Sequence, residues 1–152
     1  MSSFIHPITP EAAIAVASNL REPDYREITE GHGRDPMVAI PECATNGETV
    51  YFTSPDDRIA GIAGVQPPDG RIWMLCTPVV DEFPMTFIRQ SKKFIDSRED
   101  KLLWNVVDKR NTLHLKLLKF LGFKFLREMP FGPNNLPFIE FCYVPRRRCK
   151  GS

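Results

Sequence analysis

Two stretches carry the clearest helical period. In 85–98, MTFIRQSKKFIDSR, the apolar residues Phe87, Ile88, Phe94 and Ile95 recur at helical spacing while Arg89, Lys92 and Lys93 fall on the other side, which predicts an amphipathic helix. In 111–121, Leu113, Leu117, Phe120 and Leu121 form one apolar stripe, with Lys116 and Lys119 outside it. That helix opens at Asn111 and meets Gly122, a residue suited to a left-handed C-terminal cap. Short apolar runs at 101–107 and 136–144, and the extended segment 123–129, predict strands around these helices. RIWMLCTPVV, 71–80, is apolar on both faces and predicts a central strand.

The first half is less regular. FIHPI, 4–8, reads as a short strand whose proline places it near an edge or a strand start. Thr9 and Pro10 supply an N-cap and a first helical residue, followed by the helical run 11–20. Pro23 interrupts it, and DYREITEGHG predicts a second short helix stopped by Gly31 and Gly33. MVAIPECA suits a helical turn, and the Asn46-Gly47 pair is a turn signal. Strands at 49–55 and 58–67 form a hairpin, and PPDG, 67–70, turns the chain again. Gly61 and Gly64 inside a strand signal a bulge or a close approach by other atoms. The order predicts one mixed α/β sheet, assigned to a domain over 1–145 with a basic tail at 146–152.

Composition changes this picture little. The chain has 152 residues, 42% hydrophobic and 26% charged, which is ordinary for a globular domain of that length. A net charge of +1 argues against broad nucleic-acid binding; the cluster RRRCK at 146–150 is the local exception. No apolar run is long enough to span a membrane, and MSSFIHPITPEAA has neither the basic nor the apolar segment of a secretory signal. The cysteines at 43, 76, 142 and 149 match no zinc spacing, and with three histidines no metal centre is expected. A reducing, intracellular setting follows as the default.

The chemistry concentrates where strands end. Strands 71–80 and 101–107 each precede a helix, and ligands of open α/β sheets favour such carboxyl ends. Asp108 and Asn111 lie at one such end, although Asn111 also suits a plain N-cap. His114 shares a helical face with Asn111 and Leu118, where it serves as an acid or base or as a polar surface residue. Asp81 and Glu82, just past strand 71–80, are further acid–base candidates. No nucleophile pair, phosphate-binding glycine loop or dinucleotide fingerprint is present.

Several segments in order, LREPDY (20–25), IAGIAGV (59–65), RIWMLCTPVV, FIRQSKKFI, LLWNVVDKRN, FLGFKF and PFGPNNLPFIEF, together with the Asn111, Leu117 and Gly122-Phe123 pattern, carry a resemblance. The chain resembles the GCN5-related N-acetyltransferase (GNAT) superfamily. More closely it resembles a small family of bacteriophage proteins in that fold, acetyltransferases or the internal virion protein A of T7-like podoviruses. The resemblance implies a mixed, mostly antiparallel sheet of six to seven strands with helices on both faces, splayed in a V between strands 71–80 and 101–107. It implies acetyl-CoA in that gap, its arm on the backbone of Leu75, Cys76 and Thr77 and near Asn111 and Leu118, with acetyl passing to an unknown amine or protein acceptor.

Two departures bear on activity. The stretch TPVVDEFPMTF, 77–87, holds no glycine, two prolines and two acids where the superfamily wraps a pyrophosphate in backbone N–H groups. The superfamily's usual tyrosine acid falls on Leu118, leaving His114 as the substitute catalytic group with Glu82 or Asp81. The alternative is therefore a catalytically inactive protein that binds phage virion proteins or a host protein. It would reside in the bacterial host cytoplasm during infection or inside the virion. Phe83, Phe87, the FGPNNLP loop and the basic tail are the surfaces expected to serve that role.

Overall fold

The computed structural model describes residues 4–45 and 48–145; the Asn46-Gly47 turn signal, Cys149 and the RRRCK tail lie outside the described residues. Seven strands form one sheet: β1 Ile5–Pro7, β2 Glu48–Thr53, β3 Ile59–Gln66, β4 Arg71–Cys76, β5 Leu103–Asp108, β6 Lys124–Phe131 and β7 Leu136–Tyr143. The helices are α1 Pro10–Ala17, α2 Glu22–Arg26, α3 Pro36–Thr45, α4 Pro84–Asp96 and α5 Thr112–Leu121. A wide helical turn, Glu27–Gly31, continues α2, and a tight one, Pro78–Asp81, precedes α4.

The strand order is β1-β2-β3-β4-β5-β7-β6, and every neighbouring pair is antiparallel except β4 and β5. Those two are parallel because α4 carries the chain across the sheet between them. They pair at a single position, Arg71 with Trp104, and then separate. The sheet is thus mixed, mostly antiparallel, and open at its centre, as the resemblance implied.

Strand alternation sorts the core into two layers. Phe52, Ala63, Ile72, Leu103 and Phe141 pack with α4 and α5, while Ile62 and Leu75 pack with α1 and α3. Phe52 anchors the first layer, edge-on to Phe87 and Phe94 at 6.4 and 6.3 Å.

Three local features depart from the sequence reading. Strand 71–80 stops at Cys76, because Thr77 caps a helical turn that Pro78 opens, its Oγ1 accepting from Val79 N. MVAIPECA is part of a full ten-residue helix despite Pro41. On α5 the inward face runs through His114, Leu117, Leu118 and Leu121, which leaves Phe120 65% exposed.

Both expectations for the β3 glycines are met. A register shift beside Gly61 leaves Ala60 as an extra residue opposite β2. At Gly64 a Cβ would lie 2.8 Å from the Trp73 ring, so the absent side chain makes room for the indole.

Gly70 forms the apex of the opening. Its φ is +75°, its carbonyl accepts from Trp104 N at 3.1 Å, and a Cβ there would fall on the carbonyl oxygen of Leu102. Gly70→Ala is expected to cost more than about 1 kcal/mol of stability in urea denaturation. An unchanged midpoint would mean that the apex tolerates rearrangement.

Candidate active site in the sheet opening

The opening between β4 and β5 holds a cavity of about 440 Å3, within the range of small-ligand sites. Its lining comes from both layers: Ile28, Ile40 and Trp73 on one side, Ile95, Leu117 and Leu118 on the other. The cavity therefore passes through the plane of the sheet. Trp73 brings a buried indole N–H that has no partner among the described residues.

Backbone direction makes the β4 edge informative. Thr77 N–H donates to Ala60 on β3 at 2.9 Å, so Cys76, Met74 and Ile72 turn their N–H and C=O groups toward the gap. The Ile72 carbonyl accepts from Asn105 Nδ2 at 2.8 Å. Cys76 N–H donates to Asp24 Oδ2 at 2.7 Å, and the Cys76 carbonyl accepts from Arg21 N at 2.9 Å. The Met74 groups have no partner among the described residues, and Met74 lines the cavity. A ligand amide lying along this edge finds one free donor and one free acceptor there.

The wide end of the gap is closed by a buried polar cluster. Asp24 on α2 is 0% exposed and reaches both sides of the opening: Asn111 Nδ2 donates to its Oδ1 at 2.6 Å, and His114 Nε2 lies 3.4 Å from the same oxygen. Cys76 Sγ is 3.7 Å from His114 Nε2. Burial, with the Asp24 charge adding to it, pushes the Cys76 thiol well above its ordinary range. Asn111 occupies the N-cap position of α5, yet its side chain makes no capping bond, and its Oδ1 is buried without a partner among the described residues.

Glu27 borders the cavity on the α2 side. Its Oε1 accepts from Asp108 N at 2.9 Å, tying the helical turn after α2 to β5. Burial is the main cause that pushes its carboxyl up to about 8; the Asp108 N–H bond opposes this, and the charges of Asp24 and Asp108 reinforce it. The folded chain therefore holds a proton at Glu27 that the unfolded chain, near 4.5, releases. Stability is expected to fall as pH rises from about 4.5 to about 8, by up to about 1.4 kcal/mol per pH unit from this group, and then to level off. Urea midpoints across that range test this, with Glu27→Gln removing the slope.

The sequence candidates separate into three places. Cys76, Asn111 and His114 meet in the cluster, and Leu75 and Leu118 line the cavity beside His114. Thr77 is buried against β3, where its Oγ1 donates to Ile59 O at 2.8 Å. Asp81 and Glu82 lie outside the cavity, at the surface, where Asp81 is 3.5 Å from Arg21 Nε and Glu82 takes a two-pronged bond from Arg58 at 2.7 and 3.0 Å. Asp24 and Glu27 were not singled out from the sequence. The Pro23 break inside an acid-rich helical run was the available signal, and it does not tell buried acids from solvated ones.

No protein-family model matches the chain, and no curated protein matches it in sequence. Solved structures do match in fold. YncA from Salmonella typhimurium, with its cofactor acetyl-CoA, superposes with a TM-score of 0.68 at 12% identity, over 98% of this chain and 97% of that one. Spermidine N-acetyltransferase from Vibrio cholerae, in complex with CoA and spermine, gives 0.66 at 8% identity over 92% and 94%. The ribosomal-protein-S18-alanine N-acetyltransferase from Escherichia coli gives 0.65 at 12% identity over 97% of both chains. The fold is that of the GNAT acetyltransferases.

Proposed function

We propose that the opening between β4 and β5 receives the acyl-pantetheine arm of acetyl-CoA and that the protein transfers the acetyl group to an amine. The observation that carries this reading is the unpaired Met74 edge inside an apolar cavity that crosses the sheet, with the Glu27 carboxyl on its wall. The arm and the nucleotide end fit differently. The apolar lining and the Met74 donor and acceptor suit the arm. At the nucleotide end, residues 77–83 contain no glycine, Pro78 and Pro84 lack N–H groups, and Glu82 is committed to Arg58.

Bound acetyl-CoA would supply a thioester as the acetyl source. The Met74 edge would align the arm, and the apolar walls would keep water from the reacting carbonyl. Glu27, its Oε1 held by Asp108 N–H, would accept the amine proton on its other oxygen. His114 is left out of this proton path because its Nε2 faces Asp24 and Cys76.

One observation favours a second reading. The Asp24 cluster takes the outward groups of Cys76 and closes the wide end of the gap, which suits a fold retained for a binding role without catalysis. Calorimetry with acetyl-CoA and with acetyl-pantetheine separates the two. The transferase reading expects both to bind, with Kd near about 100 μM to 1 mM, or about 4–5.5 kcal/mol, and within tenfold of each other because the nucleotide adds little. No heat from either at millimolar concentration would overturn it in favour of the binding role.

A further inference from the structure

We propose that Asp24, Cys76 and His114 bind one divalent transition-metal ion of the zinc class at the wide end of the opening. The three donors arrive from α2, the end of β4 and α5, and their ligand atoms all lie within 4.8 Å of one another. Four-coordinate zinc, with bonds of about 2.3 Å to sulfur and about 2.0–2.1 Å to nitrogen or oxygen, separates S from N by roughly 3.5 Å and N from O by roughly 3.3 Å. The corresponding distances here are 3.7 and 3.4 Å.

Hydrogen bonding alone leaves these groups in conflict. A single nitrogen, His114 Nε2, faces both the thiol and the carboxylate. As N–H it serves Asp24 but leaves the thiol hydrogen without an acceptor. As a bare nitrogen it accepts from the thiol but sets its lone pair against the carboxylate. All three residues are buried, at 0%, 0% and 6% exposure, away from bulk water. A cation satisfies all three at once.

The surroundings are organised as they are around metal ligands. Both Asp24 oxygens are oriented by donors, Asn111 Nδ2 at 2.6 Å and Cys76 N at 2.7 Å. Beside them Asn111 carries a buried Oδ1 with no hydrogen-bond partner among the described residues. One sulfur, one imidazole nitrogen and one carboxylate oxygen select zinc or cobalt over magnesium or calcium. Binding exchanges the Cys76 S–H bond for a sulfur–metal bond, and the proton leaves to solvent; no electron is transferred. The ion would join three elements across the opening, whether or not the cavity takes a thioester.

The test is titration of chelator-treated protein with Co2+. The expected result is one equivalent per chain, with the visible bands of a four-coordinate site, a sulfur-to-cobalt charge-transfer band in the near ultraviolet, and loss of both on adding Zn2+. Cys76→Ala should abolish the charge-transfer band and His114→Gln should weaken binding at least tenfold, while Cys43→Ser changes neither. Zn2+ should also raise the Tm of the parent chain and not that of His114→Gln, a readout that survives if Cys76→Ala fails to fold. Absence of the charge-transfer band at one equivalent, its persistence in Cys76→Ala, or an equal Zn2+ shift in His114→Gln would overturn the proposal.

Discussion

Asp24→Ala is expected to lower folding stability by about 3–5 kcal/mol, measured in chelator so that hydrogen bonds alone are compared. The carboxylate is fully buried and accepts two short bonds, from Cys76 N–H at 2.7 Å and Asn111 Nδ2 at 2.6 Å, with Arg21 Nη1 at 4.0 Å. Alanine removes the acceptor of both bonds and leaves the Arg21 guanidinium with Asp81 alone, 3.5 Å from its Nε. Against a total of about 5–15 kcal/mol, such a loss removes a large part of the fold's margin. Glu22→Ala, two residues away, is the control: Glu22 is 70% exposed and pairs with Arg26 across one helical turn, so its removal should change stability by less than about 0.5 kcal/mol. Urea midpoints at unchanged m-value report both. A loss below about 1 kcal/mol at Asp24 would mean that the cluster is not what closes the opening.

Glu27→Gln is expected to reduce acetyl transfer by about 10²–10⁴-fold, followed with a panel of primary amines, while leaving acetyl-CoA binding within twofold. Glutamine keeps an oxygen for Asp108 N–H and loses only the proton-accepting capacity, so the fold is preserved. Because burial holds the carboxyl near about 8, the fraction able to act as a base rises with pH, and the parent rate should climb through that value. The variant should lack this rise and, at pH 9, be more stable than the parent, since it avoids burying a charge. Equal rates in the two proteins would remove Glu27 from the reaction.

The architecture was legible because its periodicities are strong and local. The stripe at Phe87, Phe94 and Ile95 and the apolar run at 71–76 could each be read within one window of sequence. Errors arose where one local rule outweighed another, as at Pro78, which ends β4 even though Val79 and Val80 continue the apolar run and are buried. The site was legible in part. Asn111 and His114 stand on a recognisable helix start, but their neighbour Asp24 lies 87 residues from Asn111 in sequence. Within EPDYR, Glu22 and Asp24 both occupy the first turn of α2; one is 70% exposed and the other buried. That difference comes from contact with Cys76 and Asn111, not from propensity, so no reading of the segment alone separates them. Glu27 is hidden for the same reason, its partner being the Asp108 N–H on β5.

The claim on which the functional account depends is that the Met74 edge of β4 is open to a ligand. Amide-resolved NMR during titration with acetyl-CoA tests it directly. A saturating shift and slowed hydrogen exchange are expected at the Met74 N–H, with the Cys76 N–H unchanged because Asp24 already holds it. No response at Met74 up to millimolar acetyl-CoA, with the protein folded, would contradict it.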